Sequence, residues 1–493
     1  MPKKQTILVV ASLLVVVLSV TLAYFTAQII GKGKDVSVTS TTLQIVFTDS
    51  DGAISGSNIE PGWSDTKTFT VENNSKSEYK YNIVIKDLLN TFVTNGYLQY
   101  KITSTNGGYN MTEFKDIPKS SIATDTILAY SVVIPNGVTQ SYTIEFKYAN
   151  DESVDQSDDM GRKLSGTLFI TEGTEDPNKT LYNQLLVDKS TKLTRTDFSK
   201  VLTDNNTKTL YTSTEDSKTV YYFAGNATDN WVKFGKNASN QDLYWRIIRT
   251  NSDGGVRLLY HGTSTTATDA YIGTSAFNSS YDNIAYVSYM YGNLGSVANA
   301  RENTTDSTIK TIIDNWYKDN LNTNYGKYLS TTAVYCNDRS TSDNTYFGAY
   351  TRLLTNKTPS YDCTATEDKF TVDSTVGNGK LTYPIALMTA DEVSFAGGLW
   401  ITNAPTWYYY NSANGSSTGS TFWWLLSPGV WSGSDAGVFY VYGSSSPGFL
   451  NNVNVFAGGG VRPVISLKSC IKYSTGNGSA SDPYTIQETT SGC

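Results

Sequence analysis

Phe422-Trp-Trp-Leu425, Ser427-Pro428, Val438-Phe-Tyr-Val-Tyr442 and Gly460-Val-Arg-Pro-Val-Ile-Ser-Leu467 follow one another in the C-terminal third of the chain. The anchors are large and apolar, and what separates them is mostly Gly, Ser, Asn, Tyr, Val and Phe. Trp423, Trp424 and Leu425 form a bulky run that belongs in a core, and Val461, Val464, Ile465 and Leu467 read as a buried strand. The intervening Tyr, Ser, Gly and Asn have the composition of an antibody paratope. Tyr supplies rigid contact area with a polar tip, and Ser and Asn adapt their hydrogen bonding. An ordinary Gly/Ser loop at a sheet end would look similar, so both readings stand at this point. On the binding reading, residues 429–459 build the face, and the ligand touches Val430, Trp431, Ser432, Ser434, Tyr440, Tyr442, Ser444, Phe449, Asn452, Asn454 and Phe456. Trp431 and the two Tyr are its expected energetic centres, because aromatic side chains dominate such patches.

Working back from that stretch, Thr219–Phe223 and Tyr244–Arg249 read as strands. Gly255–Tyr260 is expected to pair with the latter across an Asn251-Ser-Asp-Gly254 turn. Ser307–Leu321 reads as an amphipathic helix with Ile309, Ile312, Ile313 and Trp316 on one face. Thr389 followed by Glu392 is the pattern of a capping box, and Gly397-Gly398 marks the end of that helix. Asp391-Glu392 is therefore read as a capped helix start and not as a catalytic carboxylate pair. The single His of the chain, His261, is expected at the surface of a strand end.

The first part of the chain has a different pattern. From 35 to 172, short segments with period-two alternation (Thr68–Val71, Tyr79–Ile85, Leu128–Ile134, Thr139–Tyr148) are separated by turn clusters such as Pro135-Asn-Gly137. That spacing predicts an antiparallel β-sandwich. Residues 173–217 are polar and read as a linker, with a short helix at Leu181, Leu185 and Leu186. The larger C-terminal domain is placed at 218–493. Ahead of everything, Lys3 and Lys4 precede an uncharged apolar run from Ile7 to Phe25, so residues 1–30 read as a secretory signal. The run is also long enough, at about 20 residues, to remain as an anchor. Either way, the remainder is expected outside the cytoplasm.

Two resemblances add to this. Leu22-Ala-Tyr-Phe-Thr26, Thr42-Leu-Gln-Ile-Val46, Glu60-Pro-Gly62 and the segment Asp158-Asp-Met-Gly161 to Ile170 resemble the TasA/camelysin group of exported bacterial proteins. That resemblance implies a jelly-roll-like sandwich and a role in surface fibres. The Trp-Trp-Leu, Ser-Pro and Gly-Val-Arg-Pro series, with Trp245-Arg-Ile-Ile248, Cys336-Asn-Asp-Arg339 and Thr389-Ala-Asp-Glu392 upstream, resembles C-type-lectin-like domains distantly akin to formylglycine-generating enzymes. It implies an α+β ligand-binding domain. Some such domains are targets of diversity-generating retroelements, whose ligand-facing loops are rewritten by adenine-directed mutagenesis, so the resemblance also implies a hypervariable face. Between 429 and 460 there is no Met, Lys, Gln or Glu, as adenine replacement in Asn codons requires, and Trp431 is the departure. Gly/Ser/Tyr-rich loops avoid long and charged side chains for ordinary reasons as well.

The expected fold class is mainly β: an N-terminal antiparallel sandwich followed by a C-terminal α+β domain. Aromatic residues at 13% are enough to build cores, and charged residues are only 17%. A net charge of -7 argues against nucleic acid as a partner. One His excludes a two-His zinc site, and calcium lectin triplets are missing, so no metal and no cofactor is expected. No nucleophile elbow, P-loop or dinucleotide fingerprint occurs. No catalytic residues are assigned. Four Cys in an exported chain suggest two disulfides, and proximity favours Cys336–Cys363 and Cys470–Cys493. The function expected is display of a binding domain on a sandwich spacer, with a protein or glycan at the cell surface as ligand. Membrane contact is expected only through an uncleaved N-terminal segment, and self-assembly through the N-terminal domain. A fibre subunit and a cell-surface glycan hydrolase are the alternatives.

Overall fold

The computed structural model describes residues 59–111, 113–203, 208–267, 270–404, 421–443, 446 and 448–493. Before them it gives the backbone of four strands, Ala27–Ile29, Val36–Ser40, Leu43–Asp49 and Ile54–Gly56. The apolar run 7–25 lies outside the described residues. The chain is mainly β and divides into two compact units, Met1–Pro177 and Asn178–Cys493.

The first unit stacks two sheets on one core. One sheet runs Ile54–Gly56, Ala27–Ile29, Leu164–Glu172, Tyr79–Asn90, Ser120–Ile134. The other runs Val36–Ser40, Leu43–Asp49, Ser64–Asn73, Thr139–Tyr148, Leu98–Ser104, Lys115–Asp116. All neighbours are antiparallel except Ala27–Ile29, which lies parallel to Leu164–Glu172. Along Thr139–Tyr148 every second residue, from Gln140 to Tyr148, is buried. This is the period-two pattern of a strand with one face inward. Phe69, Val71, Ile144 and Phe146 of one sheet share a core with Tyr81, Ile83, Ile85 and Leu168 of the other. Tyr81 carries a hydroxyl into that core and satisfies it across the sheets, donating to Gln140 Oε1 at 2.7 Å.

The second unit begins earlier than the sequence pattern indicates. Within the stretch expected to be a linker, Thr180 caps a helix, Leu181–Asp188, by accepting the Asn183 N–H. Leu181 and Leu185, one turn apart, are buried in the main core of the unit. Thr191–Thr194 and Thr209–Glu215 then join the ten-stranded sheet. Thr-rich segments suit strands, so low hydrophobicity there does not mean a lack of structure.

The centre of that sheet is the hairpin Asp242–Thr250 and Val256–Gly262, closed by the expected turn with Gly254 at φ 81°. Val256–Gly262 pairs on its other side with Pro463–Leu467, which in turn pairs with Ile385–Leu387. Pro463–Leu467, which the Gly-Val-Arg-Pro series leads into, is thus an interior strand, and Val461, Val464, Ile465 and Leu467 are fully buried. A second sheet of six strands runs Thr274–Ser275, Gly459–Gly460, Phe422–Trp431, Ala436–Tyr442, Phe449–Asn454, Leu399–Trp400. Two further helices pack on the core. Thr308–Asn320, capped by Ser307, buries Ile309, Ile313 and Tyr317. Ile312 is instead 38% exposed, because the buried stripe follows i, i+4, i+8 and leaves it on the flank. Ala390–Ala396 starts on the expected Thr389/Glu392 capping box and ends at Gly397. Cys336–Cys363 and Cys470–Cys493 are disulfides. Among the described residues no helix is long and apolar enough to cross a membrane.

Candidate functional site

The residues expected to touch ligand lie on the antiparallel strands Phe422–Trp431, Ala436–Tyr442 and Phe449–Asn454, and register decides where each side chain points. Trp424 pairs with Tyr440 and Tyr440 with Asn451, so these three share one face; Phe439 pairs with Asn452 on the other. The first face carries a ladder of rings, Phe422 to Tyr440 at 4.7 Å, Tyr440 to Tyr442 at 5.2 Å and Tyr442 to Phe449 at 5.4 Å. Trp424 packs under it, with Nε1 donating to the Ser275 carbonyl at 2.9 Å. On the opposite face Phe439 meets Trp400 at 5.9 Å, Trp400 meets Tyr350 at 5.6 Å, and Tyr350 stacks on Tyr346 at 4.5 Å.

The expected binding residues therefore do not form one surface. Val430, Asn452 and Asn454 fall on the Phe439 face, and Trp431, Tyr440, Tyr442 and Phe449 on the other. They also divide along the strands. Trp431 pairs with Ala436 at one end and Phe422 with Tyr442 at the other, six residues on, or about 20 Å at the rise of a strand. Tyr440 is buried, and burial followed by its hydrogen bond to Tyr442 raises its pKa. It is a core residue. Ser444 lies outside the described residues.

What remains exposed concentrates at the turn between the first two strands. Ser432 and Ser434 are exposed there, and Asp435 accepts from the Ser434 hydroxyl at 2.7 Å and from the Asn454 amide at 2.8 Å. Phe456 is 58% exposed and stands 5.9 Å from Tyr281, which is 42% exposed. The Tyr281 carbonyl accepts the Ala436 N–H at 2.8 Å, which fixes its segment beside the turn. On the other side of the turn, residues 345–347 run against 429–431: the Trp431 N–H donates to the Thr345 carbonyl at 2.7 Å and Tyr346 bridges Val430. Tyr346 is 43% exposed. Among the described residues, Tyr281, Tyr346 and Phe456 are the only aromatic rings exposed to this extent, and all three flank one turn. Only Phe456 was expected there. Tyr281 and Tyr346 sit in polar stretches, Ser279-Ser-Tyr-Asp-Asn283 and Asp343-Asn-Thr-Tyr346, which mark loops but carry no signal of where those loops converge.

Tyr346 belongs to the loop closed by Cys336–Cys363, and a buried ion network holds that loop in place. Gly348 turns it so tightly that a Cβ would collide with the Asp338 carboxylate and the Ser340 hydroxyl. The π-helical turn Thr351–Asn356 aims Arg352 between Asp338 and Asp391. Beside it, Glu392 accepts from Arg249 at 2.9 Å and from Arg257 at 2.8 Å, and Arg249 reaches Glu215 at 2.7 Å. Burial alone would raise the Glu392 pKa; Arg257 and Arg249 outweigh it and hold the carboxyl below its usual range. The network leaves a cavity of ≈ 20 Å³, room for about one water. Asp338, Asp391, Glu392 and Glu215 are each engaged by Arg, so the arrangement ties elements together, and Asp362, which also lines the cavity, accepts the Asp216 N–H at 2.8 Å.

His261 is not the surface residue expected. It is 4% exposed, its ring edge packs on Trp231 at 4.4 Å, and Nδ1 lies 3.3 Å from an Arg462 Nη. Burial, then Arg462 and Arg246, hold its pKa well below the usual value, so it is neutral. Among the described residues no three Asp, Glu, His or Cys side chains gather as a metal site. No protein-family model matches the chain, and neither a curated protein nor a solved structure shows significant similarity to it.

Proposed function

We propose that this is an exported bacterial surface protein whose C-terminal unit presents a ligand-binding surface at the turn between Trp431 and Ala436, with the N-terminal sandwich as spacer. One observation carries this reading: the three most exposed aromatic rings among the described residues, contributed by three separate segments, surround a single turn of Ser, Gly and Asp. Soluble proteins place large rings inside, and clustered exposed rings mark interaction sites. Two disulfides fit an oxidising compartment outside the cytoplasm. The resemblance to C-type-lectin-like domains points the same way.

A second reading, assembly into fibres, is favoured by Ser120–Ile134. Among the described residues this long edge strand pairs on one side only, and it leaves Ile122 74% exposed. The purified full chain separates the two. Saturable binding to arrayed proteins or glycans that disappears in a Tyr281→Ala, Tyr346→Ala, Phe456→Ala triple variant is the expected result. Fibres on electron microscopy without any saturable binding would overturn it.

A further inference from the structure

We infer that the ligand of this turn is a cationic protein segment, rich in Lys or Arg. The inference rests on the binding reading above and adds the chemistry of the partner. Every charged side chain that the three segments bring to the rings is acidic. Asp282 follows Tyr281 and is exposed, Asp343 is exposed beside Tyr346, and Asp435 sits in the turn itself. The stretches 276–289, 340–350 and 429–460 contain no Lys, Arg or His. The flanking arginines are committed elsewhere: Arg339 is buried against Asp368 and Arg352 is held by Asp338 and Asp391.

Among the described residues, the three carboxylates are met only by neutral donors where they are met at all. Asp343 Oδ1 accepts the backbone N–H groups of Thr345 at 2.8 Å and Tyr346 at 3.1 Å, and Asp435 accepts from a hydroxyl and an amide. These bonds orient the two carboxylates without cancelling their charge, and the two backbone N–H groups hold the Asp343 carboxyl below its usual range. Elsewhere this protein places its own cations over rings, with Arg246 4.1 Å from the Trp231 centroid and Arg249 4.4 Å from that of Tyr361. At the turn, rings and anions are presented together with no cation of the three segments to fill the position. A ring face attracts ammonium and guanidinium groups, and carboxylates within a Debye length of about 8 Å reinforce that attraction. A polyanion would meet repulsion at the same place, and a neutral sugar would leave all three charges unused.

The test uses the full chain and a fluorescently labelled octa-arginine peptide followed by anisotropy, with octa-glutamate, a neutral Gly/Ser peptide and neutral oligosaccharides as parallel probes. Because the protein carries a net charge of -7, some octa-arginine binding is diffuse. The ring substitutions Tyr281→Ala, Tyr346→Ala and Phe456→Ala leave that charge unchanged and isolate the specific part. Each should lower octa-arginine affinity about threefold, the triple variant roughly 25-fold, and Asp282→Asn about twofold with a weaker salt dependence. All four residues are exposed, and circular dichroism verifies folding. Wild-type affinity in the triple variant overturns the inference. If octa-glutamate or an oligosaccharide binds and is lost in the triple variant, the turn is a binding site but the cationic assignment fails. If no probe distinguishes the triple variant from wild type, the cationic assignment fails and the binding reading loses the site on which it rests.

Discussion

Arg352 grips Asp391 at two points, Nε to Oδ1 at 3.0 Å and Nη2 to Oδ2 at 2.9 Å, while its third nitrogen reaches Asp338 Oδ2 at 2.6 Å. Asp338 and Arg352 lie inside the disulfide-closed loop, and Asp391 opens the helix Ala390–Ala396. The ion pair therefore fastens the loop that carries Tyr346 to the rigid, capped part of the unit. It adds to the Trp431–Thr345 hydrogen bond and the Tyr346–Val430 bridge in holding the backbone of that loop.

Replacing Arg352 by Gln should cost about 3 kcal/mol in urea unfolding, because Asp391 is left buried without its partner. Lys at this position should recover only part of the loss, since an ammonium cannot make the planar two-point contact. Equal stability for the Lys variant and wild type would show that only the charge matters.

Tyr440 and Phe456 should behave oppositely, although both are aromatic and both fall in the paratope-like stretch. Tyr440→Ala removes a buried ring from the Phe422–Tyr440–Tyr442 ladder and should destabilise by about 3 kcal/mol. Phe456→Ala changes a 58% exposed ring and should shift stability by about 0.5 kcal/mol or less while reducing ligand binding. Trp431, half-buried at the turn, should show part of each effect.

These contrasts mark what sequence alone conveys. The Trp-Trp-Leu run and the strand Pro463–Leu467 were legible because apolar runs have nowhere to go but a core. The Thr389 capping box was legible because capping is local. The division of the binding face was not. Tyr440 and Tyr442 look equivalent to Asn452 and Asn454, but the register pairs Tyr440 with Asn451, so even-numbered residues on neighbouring strands point to opposite faces. Shifts in register between Trp424 and Val430 also reset which side that strand presents. His261 lies on a strand flanked on both sides, and nothing in its own segment reveals the second neighbour, Pro463–Leu467. The convergence of Tyr281 and Tyr346 is tertiary in the same sense.

Loss of the Cys336–Cys363 bridge should cost about 3 kcal/mol through loop-closure entropy, for a sequence separation of 27. A Cys336→Ser, Cys363→Ser variant should also lose ligand affinity, because Tyr346 lies in the freed loop. Loss of the Cys470–Cys493 bridge should lower stability without affecting binding at the turn. Non-reducing peptide mapping checks both pairings, and a Cys336–Cys470 peptide would contradict them.

Stability should fall with acid through His261. Its folded pKa is depressed, so below the unfolded value of about 6.5 the unfolded chain binds a proton that the native state resists. The stabilisation is fully present above that pH and is lost below it, by about 1.4 kcal/mol between pH 7.5 and 5.5. As the chain has one His, a His261→Gln variant should flatten the urea midpoint over this interval. An unchanged slope would assign the effect to carboxylates.

The last prediction needs only DNA. If residues 429–459 are rewritten by adenine-directed mutagenesis, the structure limits where changes survive. Val438, Phe439, Val441 and Val455 are fully buried, and altering them would cost core packing. Ser432, Ser434, Asn454 and Phe456 surround the exposed turn. Template codons AAC or AAT reach Ser, Asn and Phe by adenine replacement, but not Trp, so Trp431 should be fixed or descend from an AAG or AGG template codon. A neighbouring reverse-transcriptase gene and a near-copy repeat should therefore be found, with adenine differences at codons 432, 434, 454 and 456 and none at 438, 439, 441 and 455. Differences spread evenly over buried and exposed codons would contradict the assigned face. Absence of the repeat would leave the proposed binding surface with a fixed specificity, with the same aromatic rings and acids at its turn.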